Sequence, residues 1–389
     1  MIRGHYLGLV QALLIIVPLT IAVRASNNML MTTIPLLARY DFHFSNTLIG
    51  LLSALTALMT FLSSGLINSR LRSCCRRLAL IASSVAYTVV YPLFWLSSPL
   101  TIWLLSAIAG FTLGFLMPNI ITSASLLPDR RARERLLNIY TLSLSISLIL
   151  GPAIESLILK HYSLKESFLF FTIFPILALA IAPLIRFPEE RGGDSLITVN
   201  NVLSNPGFLT AVLNIATYNV VFSFLMAFGG IYARDSFGLS YSMVETLFSL
   251  FFITSFLGRL YLSIKPAERL WPLMSSAVLL TVIGVTMIGL TSSSLIYIIA
   301  LLLLGIPHGI TYPLSVVAIS RAFKPQHRNA ANSLFFSFMM LIGIATPTVT
   351  GYVADLIGIR NTFIVLILPV IIALILLRRY VGSVDKPLT

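Results

Sequence analysis

Residues 188–206 read PEERGGDSLITVNNVLSNP, the longest polar stretch in the 389-residue chain. The stretch holds two glutamates, two glycines and three asparagines, and its few apolar residues do not follow a helical period. A segment of this composition is typical of a loop. We therefore predict a linker at 188–206, which joins a first domain at residues 1–187 to a second domain at residues 207–389.

Apolar runs dominate the chain on both sides of this linker. Hydrophobic residues make up 57% of the sequence and charged residues 10%, whereas soluble globular chains carry about 25% charged residues. Because no soluble core of this size could hide so much apolar surface, lipid must surround most of the chain. Twelve runs have the length of a membrane span. They are residues 8–37, 47–68, 78–97, 100–127, 136–159, 166–187, 207–232, 241–263, 272–291, 294–322, 330–354 and 361–380.

The fold class follows from the length of these runs. Only helices and closed barrels satisfy every backbone group in hydrocarbon, and the runs are far too long for barrel strands. We therefore predict an all-α polytopic membrane protein with twelve transmembrane helices. With the N-terminus in the cytoplasm, twenty of the 26 lysines and arginines fall in inner segments and five in outer loops. This asymmetry predicts that both termini are cytoplasmic.

The two halves resemble each other when the first is shifted by 195 residues. Gly110 and Gly114 then coincide with Gly305 and Gly309, and this spacing of small residues favours close approach of helices. Four further coincidences are Pro118 with Pro313, Pro152 with Pro347, Lys165 with Arg360, and Phe168 with Phe363. An internal repeat of this kind is typical of transporters that bind solute between two related bundles.

Three short motifs carry a family resemblance. GLINSR at residues 65–70 looks like the G-x-L-x-D-R loop motif of the major facilitator superfamily, with Ser69 in place of the usual aspartate. Gly151-Pro152 in the fifth helix is similar to a motif of that family's antiporters, and Pro35-Leu36-Leu37 ends the first helix in a family-like way. Together with twelve spans, the repeat and the linker, these motifs make the chain resemble this superfamily over nearly its whole length.

The resemblance implies a secondary-active transporter of a small solute in the plasma membrane. Two pseudo-symmetric six-helix bundles would rock about a central cavity lined by helices 1, 4, 7 and 10, and Gly65 and Arg70 would belong to a cytoplasmic gate loop. We expect a monomer in membrane lipid that needs no cofactor, metal or nucleic acid. Proton coupling stays open, because no acid occupies the first helix, and uniport is the alternative.

Charged residues inside the spans are candidates for function, since each costs about 2.5–3.5 kcal/mol to insert. Arg24 in the first helix suits a carboxylate or phosphate, although a structural ion pair or a snorkelling side chain would also explain it. Glu155 in the fifth helix could pair with Arg24 in a switch that a proton or the substrate breaks. A permanent pair and a glutamate in an outer vestibule are the alternatives.

His308 in the tenth helix could titrate near neutral pH or bind substrate, or it could only pack. Other polar residues in the spans could bind substrate or could form hydrogen bonds between helices. Glu245 is expected at the membrane interface, and Asp355 and Arg360 in an outer loop. The candidate substrate-binding residues are Arg24, Asn27, Asn28, Asn119, Asn214, Tyr218, Asn219, His308 and Tyr312; the coupling candidates are Arg24, Glu155 and His308.

Other classes of protein fit less well. The sequence contains no P-loop, no H-E-x-x-H, no G-x-S-x-G and no metal-binding spacing of cysteine and histidine, which disfavours an enzyme. A channel would show a filter sequence or a ring of charges, and the short loops leave no domain for a receptor or scaffold. A polar or anionic metabolite is the leading substrate class, and an efflux antiporter for drugs or sugars is the alternative.

Overall fold

The computed structural model describes residues 9–68, 71, 73–124, 130–185, 187, 199–265, 267–323 and 325–385. Every regular element among them is a helix, and twelve helices are long and apolar enough to cross a membrane. Both findings confirm the predicted fold class. The spans are α1 (Leu9–Tyr40), α2 (Asn46–Ile67), α3 (Cys75–Leu96), α4 (Thr101–Ala124), α5 (Ile139–Ile158), α6 (Leu164–Leu184), α7 (Pro206–Phe237), α8 (Tyr241–Ile264), α9 (Trp271–Leu290), α10 (Ser294–Ala322), α11 (Ala331–Ile357) and α12 (Ile359–Ser383).

The predicted linker is partly helical. Val199–Leu203 forms a short helix, and Val202 is fully buried in a hydrophobic cluster with Phe208 and Leu270. The prediction of a loop is therefore wrong for this part, because Val202 and Leu203 both pack this helical turn against the cluster. The rest of the linker before residue 199 lies outside the described residues.

Helices α6 and α12 are interrupted at equivalent places. α6 breaks at Thr172, three residues before Pro175, and α12 breaks at Leu366, three residues before Pro369. Proline has no amide hydrogen to donate, and its ring crowds the carbonyl group four residues earlier. The two prolines thus explain why the sixth helix of each half is broken one turn ahead of them.

The chain forms two compact units. The first consists of Met1–His43, Leu52–Gly192 and Tyr241–Ser249, and the second of Phe44–Leu51, Gly193–Ser240 and Leu250–Thr389. The predicted domain boundaries at residues 187 and 207 stay a prediction, since two short segments group with the opposite half of the sequence.

Each unit repeats the same helix packing. In the first unit α1 packs against α4, α5 and α6, and α3 packs against α4. In the second unit α7 packs against α10, α11 and α12, and α9 packs against α10. Each of these four pairs in the first unit therefore has its counterpart six helices later in the second.

The shared glycines make equivalent close contacts. A Cβ atom added at Gly110 would lie within 3.0 Å of the carbonyl oxygen of Thr56, and one added at Gly305 would lie within 3.0 Å of that of Phe251. Both members of the first contact lie 195 residues before those of the second. The glycines thus let α4 approach α2, and α10 approach α8, as the repeat predicts.

Lys165 and Arg360, which coincide in the repeat, also have the same role in their two units. Lys165 donates to the carbonyl of Ser97 at 3.0 Å, just after the end of α3. Arg360 donates to the carbonyls of Gly289 and Leu290, both at 2.9 Å, at the end of α9. A cation is favourable there because the last carbonyls of a helix lack partners and carry partial negative charge. The expectation that Arg360 is only a loop residue therefore misses its contact with α9.

Asp355 has a similar role at the start of a helix. Its carboxylate accepts hydrogen bonds from the backbone amides of Asn46 and Thr47, each at 2.8 Å, and from the Thr47 hydroxyl at 2.6 Å. An acidic side chain satisfies the free amides of a helix N-terminus and complements its partial positive charge. Asp355 therefore lies within α11 and caps α2, whereas the sequence predicted only a loop position.

Candidate functional site

Arg24 lies in the middle of a continuous helix, α1, and is half-buried. Its Nη1 atom contacts the sulfur of Met117 on α4 at 3.4 Å. Its buried Nε atom has no hydrogen-bond partner, and no carboxylate among the described residues pairs with it. A methionine sulfur is a weak acceptor, so the guanidinium retains donors for another group.

The structure does not form the proposed pair of Arg24 and Glu155. Glu155 accepts instead from the hydroxyl of Thr33. Thr33 lies nine residues after Arg24 in the same helix, which at 1.5 Å per residue is about 13 Å along the axis. An arginine side chain does not cover that distance, so the hypothesis of a direct pair is wrong for this structure.

Two asparagines continue the polar face of α1. Asn27 and Asn28 follow Arg24 at the i+3 and i+4 positions, so all three share one side of the helix. The Asn27 amide contacts the sulfur of Met31 at 3.7 Å. Asn28 is 2% exposed, and its amide nitrogen has no partner among the described residues. Unused donors therefore lie one turn apart on this face.

Asn119 holds helices together. Its amide nitrogen donates to the side-chain oxygen of Asn68 and to the carbonyl of Phe115, both at 2.9 Å. Both amide hydrogens are thus used within the unit, and the residue is fully buried. This geometry supports the interhelical alternative for Asn119 over the predicted contact with substrate.

Asn214 and Tyr218 join α7 to α10. The Asn214 amide donates to the carbonyl of Thr311 at 2.9 Å and to the Ser315 hydroxyl at 2.8 Å. The Tyr218 hydroxyl donates to the carbonyl of Leu304 at 2.9 Å. These bonds again support the interhelical alternative. The half-buried Asn219 donates to the carbonyl of Met339 at 3.3 Å, so its bond is the longest of the four.

His308 is enclosed by aromatic rings of its own unit. Its ring stacks on Phe222 with 4.4 Å between centroids, and Tyr218, Phe251 and Phe252 surround it at 5.4–5.7 Å. Its Nδ1 atom lies 2.7 Å from the Ser255 hydroxyl. Ser255 is not among the residues predicted from the sequence, although the 195-residue shift relates it to Thr60, whose hydroxyl donates to the carbonyl of Gly110. His308 therefore presents only its second nitrogen to a further partner.

The remaining predicted residues are scattered. Tyr312 is 44% exposed and packs beside Phe335, with 6.1 Å between ring centroids. Gly65 is exposed in a π-helical turn at the end of α2, and Arg70 lies outside the described residues. Glu245, expected at the interface, is instead fully buried. Among the predicted residues that the structure describes, the two with unpartnered buried donors, Arg24 and Asn28, therefore both lie on α1.

Comparison with protein-family models identifies one family for this chain. The family model of the Major Facilitator Superfamily matches residues 16–318 and 207–388. No match was found among curated protein sequences.

Solved structures with the same fold are transporters. A bacterial homologue of the human lysosomal transporter Spinster, inward-facing and unoccupied, aligns with a TM-score of 0.74 and 14% identity over 97% of this chain and 98% of that chain. Its occupied form aligns with a TM-score of 0.70 and 17% identity over 96% of each chain. A variant of the nucleoside transporter NupG aligns with a TM-score of 0.71 and 11% identity over 95% of this chain and 99% of that chain. At these identities the likeness concerns the fold alone.

Proposed function

Because this chain belongs to the major facilitator superfamily, we propose that it is a secondary-active transporter that moves a small polar or anionic solute by alternating access. The single observation that supports an anionic solute is the guanidinium of Arg24. It lies within a membrane span and has no carboxylate partner among the described residues. A charge at this depth is expensive, and its retention is explained if the solute supplies the opposite charge.

The side-chain amide of Asn28, one turn after Arg24, supports the same class of solute. Arg24 Nε and Asn28 Nδ2 are buried donors without partners in the described structure, and both residues belong to one face of α1. A buried donor without an acceptor costs about 1–3 kcal/mol. A carboxylate or phosphate offers several acceptor atoms and can bind a guanidinium through two of them. We therefore place the anionic group of the solute against this face.

The glycine-proline motif of α5 does not favour antiport over uniport. A Cβ atom added at Gly151 would lie 3.3 Å from the Cα atom of Ala25 on α1. Such a distance is tighter than most real contacts, which gives Gly151 a packing role at the helix crossing. Efflux of drugs or sugars thus gains no support from this motif.

Solute-dependent thermal stability tests the proposal. A ligand at 100 times its Kd stabilises the folded state by about 2.7 kcal/mol. We expect small carboxylates or phosphate esters to raise the Tm of the purified protein in detergent, with sugars, nucleosides and lipophilic cations as comparison panels. The solutes that bind would then be followed in liposomes with and without a proton gradient. A panel in which only lipophilic cations raise the Tm would contradict an anionic solute.

Labelling of Cys75 tests the proposed orientation in the plasma membrane. Its thiol is exposed at the start of α3, in a segment predicted to be cytoplasmic. In a Cys74→Ser background, a membrane-impermeant maleimide should label inverted vesicles and leave intact cells unlabelled. The Cys74→Ser/Cys75→Ser variant measures the background. Labelling of intact cells would reverse the predicted topology.

A further inference from the structure

Two glutamates lie fully buried in the first unit, on two helices that contact each other. Glu155 on α5 and Glu245 at the start of α8 are both 0% exposed. Their carboxyl groups lie close enough to interact electrostatically. Ninety residues separate them in the sequence, so only the fold brings them together.

Hydroxyl groups hold the two helices together at this point. The Ser156 and Thr246 side-chain oxygens are 2.7 Å apart, and Ser156 also donates to the carbonyl of Ser242 at 2.8 Å. Each glutamate immediately precedes one of the two bonded hydroxyls in the chain. The carboxyl groups are therefore fixed near each other by contacts that do not involve them.

The carboxyl groups lack partners of opposite charge. Thr33 on α1 donates to one oxygen of Glu155, and the side chain of Thr32 lies near Glu245. The other oxygen of Glu155 and both oxygens of Glu245 have no well-formed hydrogen bond to a described residue. Three of the four carboxyl oxygens thus lack a full hydrogen bond within the described structure.

The surroundings contain no described cation that could neutralise the pair. From α3 the Tyr91 phenol interacts with Glu155, but this hydroxyl contacts the carbonyl of Ser26 and the sulfur of Met29. On α1, the basic residue on the same face as Thr32 is Arg39, which lies about 10 Å further along the axis. Two ionised carboxylates buried near each other would repel strongly, because burial removes the water that would screen them.

We propose that Glu155 and Glu245 form a proton-binding site in which the two carboxyl groups share one proton. One proton on the pair leaves the site with one negative charge instead of two. This inference rests on the proposed function, because it names the proton as the coupling ion of the transporter.

Release of the proton has a direct mechanical consequence. With both glutamates ionised, their charges would repel α5 from the first two turns of α8. This repulsion would oppose the hydrogen bonds of Ser156 that hold the two helices together. Binding a proton would remove this repulsion. The site therefore links proton occupancy to the contact between α5 and residues 241–249.

Infrared spectroscopy can detect the shared proton without knowledge of the solute. The protein in liposomes is perfused with buffers between about pH 5 and about pH 9, a range that lies above the ordinary titration of exposed Asp and Glu, so that these groups stay ionised throughout. We expect a carbonyl stretching band of a protonated carboxylic acid that disappears as the pH rises and shifts in D₂O. Glu155→Gln and Glu245→Gln should each abolish the titrating band. Glu166→Gln, which alters a surface cap of α6, should retain it.

Three results would overturn the proposal. The band could be absent from the unmodified protein, it could persist in both glutamine variants, or it could respond to replacement of sodium by choline at constant pH. Glu155→Asp and Glu245→Asp keep a titratable group and should retain a shifted band, which separates loss of the site from loss of folding. Because no solute is needed, failure here would leave the proposed anion transport standing, and failure of the solute panel would leave this site standing.

Discussion

Gly110→Ala and Gly305→Ala should each lower the stability of the protein by about 3 kcal/mol, the upper part of the range for overpacking a core. In both cases the added Cβ would lie within 3.0 Å of a backbone carbonyl oxygen on the neighbouring helix. A backbone cannot rotate away as a side chain can, so α2 and α4, or α8 and α10, must separate. Thermal unfolding in detergent measures the loss.

A matched control exists in the same protein. Gly343 lies within α11, and a Cβ atom added there would meet nothing within 4 Å. Gly343→Ala should leave the Tm unchanged or raise it, because alanine is the better helix former. If Gly110→Ala and Gly343→Ala had the same Tm, the close contact of α2 and α4 would not restrict the residue at position 110, and the prediction would be wrong. Similar losses for Gly110→Ala and Gly305→Ala would reflect the internal repeat.

Arg24→Gln should weaken binding of an anionic solute by at least about 100-fold, because it removes the two hydrogen bonds of a bidentate contact, and each hydrogen bond to a charged group contributes about 1.5–3 kcal/mol. Arg24→Lys should lose less, because lysine keeps the charge but not the planar pair of donors. Solute-induced stabilisation and uptake into liposomes both measure the effect. Arg269→Gln, at an exposed site outside the spans, should behave like the unmodified protein.

The stability of the solute-free protein distinguishes a binding role from a structural one. If the charge of Arg24 is compensated only by a bound solute, Arg24→Gln removes an uncompensated charge from the membrane. The Tm without solute should then stay the same or rise. If Arg24 were a structural anchor, the same substitution should lower the Tm whether solute is present or not. Unchanged uptake in Arg24→Gln would contradict the anion site directly.

The internal repeat shows how much of the structure the sequence pattern can predict. The coincidence of Gly110 with Gly305 predicts close helix crossings, and the structure confirms them. Lys165 and Arg360 also coincide, but the pattern does not show that both bind the last carbonyls of a helix. A repeat identifies equivalent positions; the atoms that a side chain contacts depend on the neighbouring helix.

Glu245 shows where the linear pattern stops. Its position near a helix end predicts an interfacial residue, yet it is fully buried beside Glu155. Asn214 is a second case, since this candidate ligand donates its amide hydrogens to α10, while its contact with a substrate stays a prediction. Both outcomes depend on which faces of two distant helices meet, and hydropathy carries no information on that rotation.

The amino-acid sequence by itself determined the number of spans, the all-helical class and the internal repeat. These features follow from the cost of leaving backbone groups unsatisfied in lipid, which acts on every run of about 20 apolar residues. Only the tertiary structure decided which polar side chains are already paired and which are left with spare donors or acceptors. Pairing joins residues that are distant in the chain, such as Thr33 with Glu155, and is set by helix packing.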